Sequence, residues 1–391
     1  MTARGNESTA PNSQSNGPSS RVLILSLGYA PNVGGVETHL SDLVAHLSGH
    51  GVDVEVATLQ PFTTPARGPC HEELPHLTIR RYQWIGQGWF FRLGRTPVLG
   101  FLYAFPAMLM VALRSRHSRA DVIYPQGLAA GAASALVFRR RRRVIALHSD
   151  IEFSSKVANL AVRTILASAS DVLCLSERVR AQVVALGIYE DRVHRFHNWV
   201  NVEHFRPGAE DHSGADVPAH TNFTVLFVGR LISEKGVDLA LESARLLEQD
   251  NVTFLFAGTG PELGRVRQYE GSLSNVRCLG PVSQQELPAL YSSADVFLMP
   301  SPSEEGFGRV LLEALACGTC VVATRRGGIP EVVTPEVGVL VEPVPEQIVA
   351  ALRQLKNDPD ALARMSANAR SRAVREYSAS NARMIERVLF A

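Results

Sequence analysis

Several features that would narrow the function are absent. No second cysteine or histidine cluster accompanies Cys317-Gly318-Thr319-Cys320, so this C-x-x-C spacing lacks the other half of a zinc site, and redox use would need a thioredoxin-like setting. The five cysteines stand at 70, 174, 278, 317 and 320. They form no disulfide framework, read as packing thiols, and fit a reducing cytoplasm. Neither sign of charge is in excess: 39 Lys and Arg face 38 Asp and Glu, a net charge of +1, with no global pull toward nucleic acid. The first 20 residues, rich in Ser, Asn, Pro and Gly, hold no apolar run of the kind a secretory signal needs. They read as a disordered tail. The pattern G-x-G-x-x-G is missing, which disfavours a nicotinamide-dependent oxidoreductase.

What is present indicates a two-domain soluble α/β protein. The length of 391 residues allows about two domains with ample cores. Hydrophobic content of 46% with 20% charged residues is ordinary for a globular chain. Short apolar runs alternate with helical patterns twice: once from Arg21-Val22-Leu23-Ile24-Leu25 to the helix at 176–186, and again from Thr224 onward. Such alternation predicts parallel sheets. Residues 206–222, with Pro, Gly, Asp and His and no apolar run, read as the linker between them.

The second series centres on residues 300–331, PSPSEEGFGRVLLEALACGTCVVATRRGGIPE. Residues 296–299 predict a buried strand and 310–316 a helix, so the glycine turn between them lies where α/β proteins bind ligands. Amides at that helix start are free to receive an anion or a sugar oxygen. Glu313 interrupts the apolar helix pattern LLEALA. A buried carboxylate there needs donors, which ligand hydroxyls can supply; the alternative puts Glu313 on the one wet face of a surface helix.

The spacing Glu305 to Glu313, with Gly306, Phe307 and Gly308 between, resembles the hallmark of the retaining GT-B glycosyltransferases of family 4, which use nucleotide sugars. Ala316-Cys317-Gly318 and Gly327-Gly328-Ile329-Pro330-Glu331 extend the likeness. Arg309 departs from it, standing where an aliphatic residue is usual. Three more stretches match: Gly34-Gly35-Val36-Glu37-Thr38-His39 after the first strand, Gly229-Arg230 with Lys235-Gly236 after the strand at 224–228, and Gly280-Pro281-Val282-Ser283. His148, at the end of the strand pattern 144–147, occupies a position where family members carry a His.

The resemblance implies two Rossmann-like domains facing each other across a cleft. Residues 21–203 would form the acceptor side, 204–222 the linker, 223–376 the nucleotide-sugar side, and 377–391 a helix returning to the first domain. It implies transfer of a hexose from a UDP- or GDP-linked donor to a glycan, a lipid-linked saccharide or a small molecule. Glu313 would hold ribose hydroxyls and Glu305 the hexose. The amides of Gly306, Phe307 and Gly308 would meet sugar or phosphate. Val282 would lie in the loop holding the base, and Arg230 and Lys235 would neutralise the diphosphate beside Gly229. Gly34 and Gly35 would approach the diphosphate from the first domain, with His148 beside the reacting centre. No cofactor or metal is expected, because the one D-x-D, Asp358-Pro359-Asp360, precedes a helix and reads as its cap. A nucleotide-sugar hydrolase or epimerase on the same fold is the alternative.

Two stretches raise a membrane question. Residues 96–113, TPVLGFLYAFPAMLMVAL, read as a core or cleft-side helix, with a membrane-facing helix as runner-up; Pro97, Gly100 and Pro106 argue against a continuous span. The five arginines 139–143 read as a solvated helix end, the other reading being a headgroup site at the inner face of an anionic membrane. Nothing accompanies them that would recognise nucleic acid.

Overall fold

The computed structural model describes residues 20–391 except 33, 63–66, 86–96, 150, 152–154, 209–221 and 305–307. Two sheets organise it. The first has eight strands: β1 (Arg21–Leu25), β2 (Asp53–Leu59), β3 (His71–Leu74), β4 (Leu77–Tyr82), β5 (Val122–Pro125), β6 (Arg142–Leu147), β7 (Asp171–Cys174) and β8 (Val193–Arg195). Their order is β3-β4-β2-β1-β5-β6-β7-β8. The second has six: β9 (Phe223–Val228), β10 (Val252–Ala257), β11 (Val276–Gly280), β12 (Val296–Met299), β13 (Cys320–Thr324) and β14 (Gly338–Val341), in the order β11-β10-β9-β12-β13-β14.

All pairings are parallel except β3 with β4. Parallel strands are covered on both faces, so β1, β5, β9, β12 and β13 are nearly unbroken apolar runs. In each sheet the order reverses beside the first strand, between β1 and β5 and between β9 and β12. Loops diverge at such a reversal and leave a crevice at the carboxyl ends of the strands. The glycine stretches after β1, β9 and β12 all fall there.

The antiparallel β3 was not expected. Its sequence, His-Glu-Glu-Leu, is mostly exposed and carries no hydrophobic alternation, so the hairpin rests on backbone pairing to β4 and on the ion pair of Glu72 with buried Arg81. The arginine run is not a free helix end. Only Arg139 and Arg140 are exposed without a recorded partner. Arg141 donates to Ala120 O, and Arg142 pairs with Asp171 at 2.7 Å. Buried Arg143 donates to Ser134 O and Ser168 O. The apolar stretch forms the helix Pro97–Arg114, which runs through Pro106. Ala104, Ala107, Met108, Val111 and Ala112 are buried on its inner face, while Val98, Leu99 and Leu102 are exposed. No helix of the described residues is long and apolar enough to cross a membrane.

A buried apolar joint connects the two halves. Trp199, Val200 and Phe205 leave the first sheet and pack with Tyr291, Phe297 and Tyr377. The helix Ser380–Leu389 lies against the first half, where Glu386 meets His46 at 3.1 Å and Arg142 donates to the carbonyls of Val388 and Leu389. Arg370, on the helix Pro359–Glu376, fastens the joint: one nitrogen donates to Val202 O at 2.9 Å and to Phe205 O and Ala316 O at 2.8 Å. Ala316 ends the helix that carries Glu313, so this guanidinium sets how that helix sits against the joint.

Replacing Arg370 leaves these carbonyls short of a charged donor. Arg370→Met is expected to cost about 3 kcal/mol and to lower the melting temperature by roughly 5–10 °C in a thermal scan. Arg370→Lys keeps a charged donor and should recover part of the loss, since all three carbonyls are met by one nitrogen.

Candidate active site

The carboxyl ends of the two sheets face each other across a cleft of about 500 Å³. Gly34, Gly35 and His148 line it from the first half; Gly229, Arg230, Lys235, Val282, Gly308 and Glu313 line it from the second. Every described residue that the resemblance assigns to the donor or the reacting centre therefore lines this one cleft. Glu305, Gly306 and Phe307 lie outside the described residues.

Local geometry explains the glycines. The helix Gly35–Gly49 starts at Gly34 with no side-chain cap, leaving first-turn amides at the cleft wall. The Glu37 carboxylate folds back into this loop, and a side chain on Gly34 or Gly28 would collide with it. Burial pushes the Glu37 carboxyl up, with Arg230 across the cleft opposing the shift. Lys235 ends a single tight turn, Ser233–Lys235, and Gly236 follows with φ 78°. A Cβ on Gly236 would overlap the Pro300 carbonyl oxygen, so glycine is required there for both conformation and space. The helix Arg309–Ala316 starts at Gly308, again without a side-chain cap. Apart from the Glu37 amide, which its own carboxylate meets, two helix starts thus present first-turn amides to one cavity, a ready anion site.

Glu313 is 2% exposed, which removes the reading of a wet surface face. Its donors come first from the protein. Tyr291 Oη donates to Oε2 at 3.0 Å and Arg309 Nε to Oε1 at 3.2 Å. Burial raises the Glu313 carboxyl and the Arg309 charge opposes it. Tyr291 is held well above the usual phenol range, by burial and then by the Glu313 charge, and so stays a donor. Arg309 Nη1 also donates to Asp42 Oδ2 at 2.5 Å, in the helix Gly35–Gly49 of the opposite half. The residue that departs from the family pattern is therefore a bridge across the cleft. Arg178 with Glu304 (3.3 Å) and the Glu177 amide with Glu331 Oε2 (3.5 Å) also cross between the halves.

His148 ends β6. Its Nε2 lies 2.8 Å from Gln126 Oε1, and its ring meets those of His39 and Phe196 edge-on. Burial lowers its pKa to about 4, so the ring is neutral at ordinary pH. His39 is held well below the usual imidazole range, first by burial and then by His148 and Arg309. Among the described residues lining the cleft, Glu313 is the only carboxylate, against Arg230, Lys235 and Arg309. Pro281, Val282 and Leu287 form an apolar wall.

Sequence reasoning missed Tyr291, Asp42 and Gln126. Gln126 had a readable signal, since it stands two residues past the strand pattern Asp121-Val122-Ile123-Tyr124. Tyr291 and Asp42 had none, because each acts through a partner far along the chain. Asp358 accepts from the Ala361 amide at 2.9 Å, the capping geometry expected of it. The Cys317 and Cys320 thiols are buried and pushed up to about 12, as packing cysteines should be.

Comparison with known proteins agrees with this geometry. Residues 33–204 match the family described as Glycosyltransferase Family 4, and residues 210–372 match Glycosyl transferases group 1. The D-inositol 3-phosphate glycosyltransferase of Saccharomonospora viridis is 30% identical over 397 residues, covering 91% of this chain and 90% of that protein. Sucrose-phosphate synthase from Thermosynechococcus elongatus superposes with a TM-score of 0.75 at 21% identity, over 94% of this chain and 98% of that one. The Anabaena protein HepE, solved in complex with UDP-glucose, gives 0.69 at 21% identity, over 94% and 99%.

Breaking a buried ion pair from one side leaves a charge without its partner, a cost of about 3–5 kcal/mol. Arg309→Leu does this to Glu313, whose folded pKa then rises further above its unfolded value. A raised carboxyl favours folding at pH below its unfolded pKa and loses that benefit as pH climbs through the folded pKa. The melting deficit of Arg309→Leu against the parent protein should therefore be largest in alkaline buffer and shrink on acidification. A deficit that stays constant with pH would remove Glu313 from the explanation.

Proposed function

Because the chain belongs to the glycosyltransferases of family 4, with the group 1 domain as its second half, we propose that it is a retaining enzyme that moves a hexose from a nucleotide-diphosphate sugar to an acceptor hydroxyl. One observation carries the reading: Arg230, Lys235, Glu313 and two uncapped helix starts converge on a single cleft between facing sheets. The diphosphate lies between those helix starts, with Arg230 and Lys235 on its oxygens. Glu313 takes ribose hydroxyls on lone pairs that Tyr291 and Arg309 leave open. The base packs against Pro281, Val282 and Leu287, and the resemblance gives the hexose to Glu305. HepE in complex with UDP-glucose supports a uridine donor as the first to try, with guanosine next. The relatives named for D-inositol 3-phosphate support a small hydroxylated acceptor, beside glycans and lipid-linked saccharides.

In the step itself the bond from the sugar anomeric carbon to the leaving phosphate oxygen breaks, and the acceptor oxygen bonds to that carbon on the same face. The acceptor proton passes to the leaving phosphate oxygen. Glu313, the only carboxylate among the described lining residues, is engaged by Tyr291 and Arg309, which disfavours it as a nucleophile. We assign the neutralisation of the departing diphosphate to Arg230 and Lys235 rather than to a metal; the one D-x-D is spent on a helix cap.

The exposed Val98, Leu99 and Leu102, and separately the exposed Arg139 and Arg140 elsewhere in the first half, each fit weak contact with an anionic membrane at its cytoplasmic face. Sedimentation with vesicles should show binding to anionic lipid that salt suppresses. Equal partition to neutral vesicles, or none to either, would count against it.

Incubation with a panel of radiolabelled nucleotide sugars in excess chelator tests the main reading; one donor should be bound and its sugar transferred or slowly released. Lys235→Ala or Arg230→Ala should lower the single-turnover rate by about 10²–10³, with a smaller loss of donor affinity because helix-start amides also hold the ground-state diphosphate. An unchanged rate at saturation, with affinity collapsed, reduces the pair to anchors. Loss of transfer that manganese restores returns the charge to a metal.

A further inference from the structure

β5 ends at Pro125, and Gln126 continues it by one residue. The Gln126 amide donates to Leu25 O at 2.8 Å, and a bridge to Ala146 holds it beside β6. Its side chain is buried, and its Nε2 donates to Tyr124 O at 3.3 Å. With the amide nitrogen committed to that carbonyl, the other end of the side chain, Oε1, is turned to His148 Nε2 at 2.8 Å. An amide oxygen only accepts, so the hydrogen between them belongs to the imidazole.

A neutral imidazole carries one N–H. With that hydrogen on Nε2, Nδ1 of His148 holds a lone pair. Nδ1 makes no hydrogen bond among the described residues, nor is it one of the buried polar atoms left without a partner, and the ring lines the cleft. His39 and Phe196 press edge-on against it, with centroids 5.3 and 5.6 Å away, so the ring cannot turn over, which would put carbons in place of its nitrogens, without displacing both.

We propose that Gln126 is a positioning residue that fixes His148 as the Nε2–H tautomer, so that Nδ1 faces the substrate as a hydrogen-bond acceptor. Such a group takes a hydroxyl and repels a phosphate oxygen, since two acceptors cannot pair. His148 therefore orients a sugar or acceptor hydroxyl, and the diphosphate is left to Arg230, Lys235 and the helix starts. The role toward substrate rests on the glycosyl-transfer reading above; the tautomer does not.

The test is nitrogen NMR of the full chain labelled at histidine, without substrate, with His148→Asn used only to assign the signal. The parent protein should show His148 protonated at Nε2 and bare at Nδ1 at neutral pH. Gln126→Leu should give a mixture of tautomers and lower kcat by about 10- to 10²-fold, the scale of a slightly misplaced group, with donor affinity changed less than about 2-fold. Gln126→Glu keeps an acceptor toward Nε2 and should restore the Nε2–H tautomer, with only partial recovery of rate because its second oxygen meets Tyr124 O; a merely structural role would not require the tautomer to return. A proton on Nδ1 in the parent protein overturns the proposal whether or not any variant folds. So does a Gln126→Leu protein with tautomer and kcat unchanged. If no donor sugar is transferred at all, the functional reading fails while the tautomer assignment still stands or falls on the spectrum.

Discussion

The cleft depends on one guanidinium. Glu313 sits on a helix that is otherwise apolar, and a carboxylate there is tolerable only if its charge is met. Arg309 and Tyr291 meet it, and Arg309 in turn draws on Asp42 in the opposite half. The arrangement is a chain of four groups in which each satisfies the next, and its two ends belong to different sheets. Distance across the cleft and protonation at its floor are therefore not independent quantities: the Asp42 charge raises the Glu313 carboxyl while Arg309 between them lowers it, so moving Asp42 changes the balance at Glu313.

Around that chain the backbone supplies what side chains do not. Both helices that open on the cleft start at a glycine without a side-chain cap, so their first amides remain available. Charge is divided by kind: point charge and fork on the side of β9, amides at the helix starts, and a neutral imidazole at the end of β6. This division lets one small cavity discriminate among phosphate, hydroxyl and apolar ring, because each meets a different class of partner.

Much of this was legible in the sequence for a physical reason. Parallel strands buried on both faces leave apolar runs, and tight turns between strand and helix leave glycines, so β1, β9, β12 and the loops after them could be read directly. Gly236 is the plainest case, since conformation and space both demand it. What could not be read depends on pairing across distance. The polar strand β3 exists through its partner β4, Arg142 and Arg143 look like surface charge until Asp171 and Ser168 are beside them, and Tyr291 becomes part of the site only through Glu313. The roles of Glu305, Gly306 and Phe307 still rest on the resemblance alone.

The helix Ser380–Leu389 has a consequence for how the chain comes to be folded. Arg142 lies at the start of a central strand of the first sheet, and the carbonyl of Leu389 to which it donates is 247 residues away. His46 waits for Glu386 over 340. The first half is thus made early on the ribosome but lacks one of its covering helices until residues 380–389 have been synthesised. Its closing contacts are among those of highest sequence separation in the molecule, which is the kind that forms slowly. During that interval the faces of β6 and of the helix Gly35–Gly49 that this helix covers stand open, and the second half, finished in between, has to fold beside an incomplete neighbour.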